Sequence, residues 1–354
     1  MQHKYHQGSP VAKTYNNLYS SVIDFDNLWK AYLSARMGKR YHREVSQFSA
    51  NLEERLINIH NHLIWKSWQP GIAREFRVME PKQRNIQAPP FKDRIVHHAL
   101  FSVVEPLFEK RFINHSYACR HDKGAQRAVF ALQKMLREAQ RRYEHPYVIK
   151  ADISKYFASI DHAILFRAIE KVISCRDTLN LWRTITAAYG HDDGVGLPVG
   201  ALTSQLSANI MLDQLDHTVT DYAGIGMYVR YMDDFIIVAP NKRAAEMILI
   251  FVADEVEALN LRLNPKTSYF PASRGVDFAG YRTWSTHMLP RKRNIKKARI
   301  AFRKLAKQYR AGIVGLDYIQ PRVASFLAYA KHCQAADTVA GVLSDFTLTR
   351  SYAP

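Results

Sequence analysis

The spacing of apolar and polar positions predicts a helical first part, a mixed middle part and a helical end. Apolar residues recur at helical spacing across residues 24–68, and a Pro-Gly pair at 70–71 predicts a stop. Residues 74–81 alternate between apolar and polar in the way that a strand does. Asp93 then predicts the start of a helix that continues through Val104. This order favours an α+β core with a helical C-terminal appendage.

The middle part contains apolar, β-branched segments that end in acidic residues. Tyr147–Ile153 predicts one strand. Met227–Met232 and Phe235–Ala239 predict a β-hairpin, and the two residues between them, Asp233 and Asp234, would lie together at its tip. The remaining predicted elements are helices over 125–141, 161–172, 177–189, 202–219 and 243–259, an extended piece over 261–264, a strand over 278–281 and a basic helix over 295–308.

Charge indicates a polyanionic partner. The chain of 354 residues carries 50 Lys and Arg residues against 32 acidic ones, a formal net charge of +18. The excess recurs within 36–43, 82–94, 137–142 and 291–310, which predicts a groove that follows a phosphate backbone. Nucleic acid is therefore the first candidate partner, and an anionic membrane surface is the second. Neither a membrane span nor a secretory signal is expected, because no run of 18 or more apolar residues occurs and the N-terminal residues lack an apolar core.

Cysteine usage predicts free thiols. Cys119, Cys175 and Cys333 are widely spaced, and none belongs to a CxxC pair. This pattern argues against a disulfide framework and against a zinc site. Free thiols are typical of a reducing compartment, so we expect the protein in the cytoplasm.

Asp152, near the end of the predicted strand Tyr147–Ile153, changes the interpretation of Asp233 and Asp234. A lone Asp-Asp pair is more often a surface turn. Acids at the ends of two strands of one sheet would instead meet at one edge, where their charges repel unless cations hold them together. Mg²⁺ prefers carboxylate oxygens and substrate phosphates, and two such ions can clamp the attacking and leaving oxygens of an in-line displacement.

Two segments resemble the catalytic motifs of reverse transcriptases. Tyr231-Met232-Asp233-Asp234 is similar to their YxDD box, and Val148–Asp161 is similar to their first catalytic motif. The resemblance implies an α+β, right-hand polymerase fold with fingers, a palm built on an antiparallel sheet, and a short helical thumb. It also implies RNA-directed DNA synthesis from dNTPs with two Mg²⁺ ions, for which Mn²⁺ is a substitute. The implied catalytic residues are Asp152, Asp233 and Asp234, and the implied metal ligands are these three together with the carbonyl of Ile153.

Further motifs of that family follow in order across residues 70–290, and several concern the incoming nucleotide. The resemblance implies that Lys82 and Arg84 reach the triphosphate, which a planar, always charged guanidinium can grip with two hydrogen bonds. It implies that Phe157 is a steric gate that excludes the 2′-hydroxyl of a ribonucleotide. It implies that Lys266 lies near the pyrophosphate, where it could act as a general acid.

Other motifs concern the nucleic acid. Asn114–Arg120 resembles a segment that lies over the template or nucleotide, and Phe278–Tyr281 resembles a strand that supports the primer. The basic residues at the start of the predicted thumb are expected to bind RNA. The expected nucleic-acid contacts are Arg120, Tyr231, Met232, Gly280, Arg291, Lys292 and Arg293.

Residues 196–206 differ from most reverse transcriptases. Where those read LPQGxxxSP, this chain has Val199 in place of Gln and Gln205 in place of Pro, and both are expected at the nucleotide. The pattern resembles the enzymes of diversity-generating retroelements, in which a branched aliphatic residue at the Val199 position is associated with misincorporation opposite template adenines. A Gln amide can orient the incoming nucleotide by hydrogen bonds, whereas Val offers only dispersion and a β-branched shape, so discrimination is weaker.

Two alternatives stay open. Reverse transcriptases of bacterial antiphage defence share the polymerase core and often work with a dedicated noncoding RNA, and non-templated or protein-primed synthesis belongs to this alternative. The SWxGHxxHA-like segment of the retroelement family is only echoed by residues 325–332. An inactive, RNA-binding polymerase relative is the second alternative, although such relatives tend to lose the acids that this chain keeps.

The predicted domains are an N-terminal extension (1–20), fingers with N-terminal helices (21–146), a palm (147–281) with a fingers insertion at about 163–197, and a thumb (282–354). The expected partners are an RNA template, in the form of a specific noncoding or template-repeat RNA, and the cDNA or primer. An accessory protein subunit and an oligomeric assembly stay open. We expect a bacterial or phage-encoded protein in the cytoplasm of a bacterial cell.

Overall fold

The computed structural model describes residues 14–79, 84–188, 194–344 and 346–349. The chain forms two compact units, each made of more than one stretch. The first comprises the chain up to Asn114 together with Ile153–Gly224 and Val252–Leu263, and the second comprises His115–Asp152, Ile225–Phe251 and the chain from Asn264 onward. The division into fingers, palm and thumb stays a prediction, because these units group residues by contact and not by role.

Helices and strands are mixed along the described residues. The α-helices are α1 (Tyr19–Ile23), α2 (Phe25–Arg36), α3 (Arg43–Ala50), α4 (Leu52–Ile64), α5 (Phe91–Glu109), α6 (Ala125–Arg142), α7 (Tyr156–Ser159), α8 (His162–Glu170), α9 (Arg176–Ala188), α10 (Leu202–His217), α11 (Lys242–Ala258), α12 (Lys292–Arg310), α13 (Leu316–Ala330) and α14 (Ala336–Ser344). The strands are β1 (Arg74–Val78), β2 (Arg84–Ala88), β3 (Tyr147–Asp152), β4 (Tyr228–Tyr231), β5 (Asp234–Ala239), β6 (Ser268–Pro271), β7 (Val276–Phe278), β8 (Tyr281–Thr283) and β9 (Met288–Pro290).

The core of the first unit is built around the long helix α5. Ile95 and Leu100 of this helix are fully buried, and α5 packs against α2 and α10. Leu28 of α2 and Met211 of α10 are likewise fully buried. Burying a large apolar side chain contributes about 1.5–3 kcal/mol, so this three-helix contact is a main source of stability for the unit.

Helix α5 begins before Asp93, the residue predicted to start it. The helix starts at Phe91, directly after Pro90. The Asp93 side chain does not cap the helix; its Oδ2 accepts a hydrogen bond from the Gly71 N–H at 2.7 Å. Asp93 is fully buried, and its carboxylate ties the preceding loop to the helix.

The second unit contains a four-stranded antiparallel sheet in the order β4-β5-β3-β6. Helix α6 packs against this sheet, and its Leu132 and Leu136 share one core with Val148 and Ile236. Helices α12, α13 and α14 enclose a second apolar cluster in the same unit, centred on the buried Phe302. The fold is therefore α+β with antiparallel sheets, as the sequence predicted.

The hairpin between β4 and β5 differs from the prediction. Tyr231 pairs with Asp234, so Asp234 is the first residue of β5 and only Met232 and Asp233 form the turn. Asp234 also pairs with Asp152 of β3. Pairing with strands on both sides therefore draws Asp234 into the sheet.

The segment 278–281, predicted as a strand, is a hairpin turn. Phe278 ends β7, Tyr281 begins β8, and the two residues pair. Ala279 and Gly280 between them have φ angles of 44° and 94°, which suit a two-residue hairpin loop. The prediction failed because an apolar run can be either a strand or the two halves of a short hairpin.

Three smaller differences concern element ends. The piece predicted as extended over 261–264 forms only one bridge, between Ile153 and Leu263. Helix α10 gives way to a π-helical turn over Thr218–Tyr222, and the basic helix α12 already begins at Lys292.

All three cysteines are free thiols, as predicted. No helix among the described residues is both long and apolar enough to cross a membrane.

Candidate active site

Three aspartates lie at one edge of the four-stranded sheet. Asp152 is the last residue of β3 and Asp234 is the first of β5, and the two are paired in antiparallel register. Asp233 precedes Asp234 in the turn. Residues directly opposite in an antiparallel pair have Cβ atoms about 4.5–5.5 Å apart. The register therefore places the carboxylates together at a strand end, as the sequence pattern predicts.

The Asp234 carboxyl is strongly perturbed by its surroundings. Burial raises its pKa to about 7, and among nearby charges Lys150 and Arg291 lower the pKa while Asp152 and Asp233 raise it. Although the residue is half-buried overall, its Oδ1 is fully buried and has no hydrogen-bond partner among the described residues. An unsatisfied buried oxygen costs about 1–3 kcal/mol. A cation bound here would satisfy that oxygen and favour the ionised carboxylate.

The donor set fits a divalent cation that shares its shell with substrate. Among the described residues, no group of three or more His, Cys, Asp or Glu side chains could hold a metal ion by itself. Mg²⁺ does not need such a cage, because it usually takes one or two carboxylates and completes its shell with water and substrate phosphates. Asp152, Asp233 and Asp234 are the residues that would hold it.

Asp152 is oriented by a residue that the sequence pattern did not reveal. The Asn264 side chain donates from Nδ2 to Asp152 Oδ2 at 3.0 Å, and the Asn264 N–H donates to the Asp152 carbonyl at 2.7 Å. Asn264 Oδ1 in turn accepts from the Lys266 N–H at 3.0 Å. An Asn before Pro is an ordinary turn signal, so nothing in the sequence separated this Asn from a plain loop residue.

In the first unit, the backbone of Phe157 is hydrogen-bonded to the loop that contains Val199. Phe157 is half-buried in α7, and its carbonyl accepts a hydrogen bond from the Leu197 N–H at 2.6 Å. This bond ties α7 to the loop that carries Val199, which is also half-buried. Gly200, with a φ of 110°, lies against β2, since a Cβ atom there would be 3.5 Å from an Ile86 methyl group.

The other predicted nucleotide and metal residues of the first unit are placed as follows. Gln205 is half-buried in the first turn of α10. Ile153 is buried, and its backbone forms the bridge to Leu263. Arg84 opens β2, and Lys82 lies outside the described residues.

In the second unit, Ser116 connects the Arg120 side chain to strand β4, which leads into Tyr231-Met232-Asp233-Asp234. Arg120 Nη1 donates to the Ser116 carbonyl at 2.8 Å, and Ser116 forms a parallel bridge with Arg230 of β4. Tyr231 and Met232 follow directly and are both half-buried. The segment predicted to lie over the template thus extends the edge of the four-stranded sheet by one bridge, and the Arg120 guanidinium supports its backbone.

Gly280 and Arg291 lie close to each other and to the sheet. The Gly280 carbonyl accepts hydrogen bonds from the Tyr329 hydroxyl at 2.5 Å and from the Arg291 N–H at 3.3 Å. The Arg291 Nε lies 3.6 Å from Asp277 Oδ1, and its charge lowers the pKa of Asp234. Arg291 therefore lies near the carboxylates, and its predicted contact with nucleic acid, like those of Lys292 and Arg293, stays a prediction.

Helix α12 presents a basic face. Lys292 and Arg293 are exposed in its first turn. Its apolar residues Ile295, Phe302 and Leu305 are buried, so the opposite side carries the charge. The basic residues of the helix are Lys292, Arg293, Lys296, Lys297, Arg299, Arg303, Lys304, Lys307 and Arg310, and it contains no acid.

Comparison with known families identifies a match over the region that holds these residues. A family model described as reverse transcriptase (RNA-dependent DNA polymerase) matches residues 78–283, which is more than half of the chain. The matched span contains Asp152, Asp233, Asp234 and Asn264.

Individual relatives are more distant. Protein YkfC of Escherichia coli (strain K12) is 28% identical over 283 residues, which cover 67% of this chain and 73% of YkfC. The putative COX1/OXI3 intron 1 protein of Saccharomyces cerevisiae is 22% identical over 222 residues, which cover 59% of this chain but only 26% of that protein. Among solved structures, apo telomerase from Candida tropicalis has a TM-score of 0.49 at 12% identity, covering 78% of this chain and 57% of the telomerase chain.

Proposed function

The chain belongs to the reverse transcriptase (RNA-dependent DNA polymerase) family, and from this premise we propose that it copies RNA into DNA by two-metal nucleotidyl transfer at Asp152, Asp233 and Asp234. RNA-directed DNA polymerase, expected from the sequence motifs, is confirmed as the activity of the family. The observation that carries the mechanism is the strand register, which pairs Asp152 with Asp234 beside Asp233.

The residues of the second unit have distinct roles in this mechanism. Asp152, Asp233 and Asp234 would hold two Mg²⁺ ions, with Mn²⁺ as a substitute, and the bound ions would supply activation of a primer 3′-hydroxyl and neutralisation of the charge on the pyrophosphate. Asn264 holds one Asp152 oxygen in place. Lys266 is exposed and donates a proton to the pyrophosphate as it leaves.

The residues of the first unit select the nucleotide. The Phe157 ring excludes the 2′-hydroxyl, so dNTPs are used in preference to ribonucleotides. Val199 contacts the incoming nucleotide without offering a hydrogen bond, and this is why we propose an error-prone enzyme of the diversity-generating retroelement type. The bond between Phe157 and the Val199 loop supports a shared role for the two residues.

The template and primer are held by positive charge. The net charge of +18 and the basic face of α12 favour binding to the phosphate backbone of RNA. A specific template-repeat or noncoding RNA, the cDNA, an accessory subunit and an oligomeric assembly belong to the proposal, as does the cytoplasmic location.

An antiphage-defence reverse transcriptase with a dedicated noncoding RNA is the second candidate. The observation that favours it is the departure of residues 325–332 from the retroelement pattern. The RNA that copurifies with the protein separates the two uses. A template repeat encoded beside a variable gene supports the retroelement, and a structured RNA with a repetitive cDNA product supports defence.

The polymerase proposal is tested with a primed RNA of known sequence, four dNTPs and Mg²⁺, followed by sequencing of the product. We expect DNA complementary to the template, with errors concentrated opposite adenines. A parallel reaction with ribonucleotides should give little product, because Phe157 excludes them. Product whose sequence does not follow the template would contradict RNA-templated synthesis and favour a template-free reaction.

A further inference from the structure

Arg230 is a charged side chain in the interior of the catalytic sheet. It lies in β4 directly before Tyr231 and is 0% exposed. Among the fully buried side chains that the structure describes, only Trp182 is larger. Burial strips a guanidinium of its hydration, so its position requires hydrogen bonds that compensate.

One such hydrogen bond reaches the turn that carries Asp233. Arg230 Nη1 donates to the Met232 carbonyl at 3.0 Å. Met232 is the first residue of the two-residue turn and has a φ of 59°, a left-handed conformation that glycine adopts readily and a side-chain-bearing residue adopts at a cost. The carbonyl that accepts this bond belongs to the peptide linking Met232 to Asp233.

The backbone of Arg230 is itself held on both sides. Its N–H donates to the His115 carbonyl at 2.9 Å, and its carbonyl accepts from the Tyr117 N–H at 3.0 Å. On the opposite side it pairs with Phe235 of β5. The backbone of Arg230 is therefore held in the sheet, and from this fixed position its guanidinium restrains the strained turn.

From these contacts we propose that Arg230 is a positioning residue, whose guanidinium holds the Met232–Asp233 peptide in its left-handed turn and so keeps Asp233 and Asp234 ready to bind a metal ion. This inference rests on the proposed two-metal function. Arg230 acts through the turn and does not touch the substrate. Its loss should leave the chain folded but allow the turn to relax, which lowers the affinity of the carboxylates for a divalent cation.

The test measures Mn²⁺ binding by electron paramagnetic resonance on the full chain without nucleotide. Arg230→Met keeps an unbranched side chain but is shorter and has no donor, and loss of the charge-assisted hydrogen bond to the Met232 carbonyl should lower the Mn²⁺ affinity about tenfold. Arg230→Lys keeps a donor and should recover part of that loss. The control is Arg282→Met, because Arg282 also lies in a strand and donates to a backbone carbonyl, that of Arg274 at 2.9 Å. This control should bind Mn²⁺ as the wild type does.

A second comparison separates positioning from general destabilisation. Met232→Gly removes the cost of the left-handed conformation, so the turn depends less on its restraint. In that background Arg230→Met should change the Mn²⁺ affinity by less than about threefold, a non-additive result. Circular dichroism and melting temperature confirm that each variant is folded, and Arg230→Lys carries the comparison if Arg230→Met does not fold.

The proposal would be overturned if the Arg230 variants bound Mn²⁺ with the affinity of the wild type. It would also be overturned if Arg230→Met lowered the Mn²⁺ affinity equally with and without Met232→Gly. These outcomes are independent of the polymerase assay. A wild-type protein that copies no RNA but shows the coupling would refute the proposed function alone. A wild-type protein that copies RNA but shows no coupling would refute the role of Arg230 alone.

Discussion

Replacing Asn264 by aspartate reverses the polarity of one contact to Asp152 and changes little else. Aspartate has nearly the shape of asparagine, but its second oxygen would stand where Nδ2 now donates to Asp152 Oδ2. The Oδ1 atom that accepts from the Lys266 N–H has an equivalent in aspartate, so the local turn is kept. The substitution therefore isolates the effect of the Asn264 donor on the Asp152 carboxylate.

The expected magnitude follows from the 3.0 Å separation of Asn264 Nδ2 and Asp152 Oδ2. A hydrogen bond to a charged group contributes about 1.5–3 kcal/mol, and this contribution is lost. Two negative charges at that distance repel by about 5 kcal/mol at an effective dielectric constant of about 20, an upper bound because both residues are half-exposed to water. If only about 1.4–2.8 kcal/mol of this loss and repulsion is added to the activation free energy of dNTP incorporation, the rate falls about 10–100-fold.

The assay is the rate of dNTP incorporation on a primed RNA at saturating nucleotide. Asn260→Asp is the matched control, because Asn260 Nδ2 donates to Asp161 Oδ2 at 3.1 Å, the same type of contact outside the carboxylate cluster. We expect Asn264→Asp to lose activity while Asn260→Asp keeps it. Equal rates for Asn264→Asp and the wild type, or an equal loss in both variants, would refute the assigned role of Asn264.

Three further outcomes are expected. Val199→Gln should lower misincorporation opposite template adenine, because an amide can orient the incoming nucleotide; the same error spectrum in both proteins would contradict this. Charge reversal at Lys292 and Arg293, both exposed on α12, should weaken RNA binding and lower its salt slope by about 0.7–0.9 per lost phosphate contact, whereas an unchanged slope would place both residues away from the RNA. Burial lowers the pKa of His217, but its hydrogen bond to Asp221 helps to raise the pKa above the ordinary value. Because the pKa of His217 is higher in the folded than in the unfolded chain, protonated His217 stabilises the fold below about pH 6.5, and this stabilisation is lost as the pH rises through the folded pKa. His217→Gln should therefore lower the melting temperature more at about pH 5.5 than at about pH 8.5. Equal decreases at the two pH values would argue against this linkage.

The placement of the aspartates near strand ends could be predicted because the sequence signal for it is local. Asp152 and Asp233 follow apolar, β-branched runs, and such runs predict strands whatever surrounds them. The position of Asp234 could not be predicted to the residue, because it depends on which residue of β3 lies opposite. Register is set by contacts distant in sequence, so a pattern read along the chain placed Asp234 in the turn instead of in the strand.

The residues that support the carboxylates were missed for a related reason. An arginine in a short apolar strand is expected to be exposed. Arg230 is instead fully buried, and its backbone pairs with the His115–Tyr117 segment, which is distant in sequence. Asn264 is near Asp152 only after the chain has folded, since 112 positions separate them. Both contacts depend on tertiary structure that neither composition nor periodicity describes.

The central claim is that Asp152, Asp233 and Asp234 form the catalytic centre of RNA-templated DNA synthesis. The most direct measurement compares dNTP incorporation on a primed RNA by the wild type and by the double variant Asp233→Ala plus Asp234→Ala. The control is Asp254→Ala plus Glu257→Ala, which removes two exposed acids of α11 and the same amount of negative charge. We expect the first double variant to lose activity about a hundredfold or more, because two carboxylates that would hold the metal ions are gone, and the control to keep it. Undiminished synthesis by Asp233→Ala plus Asp234→Ala would contradict the claim.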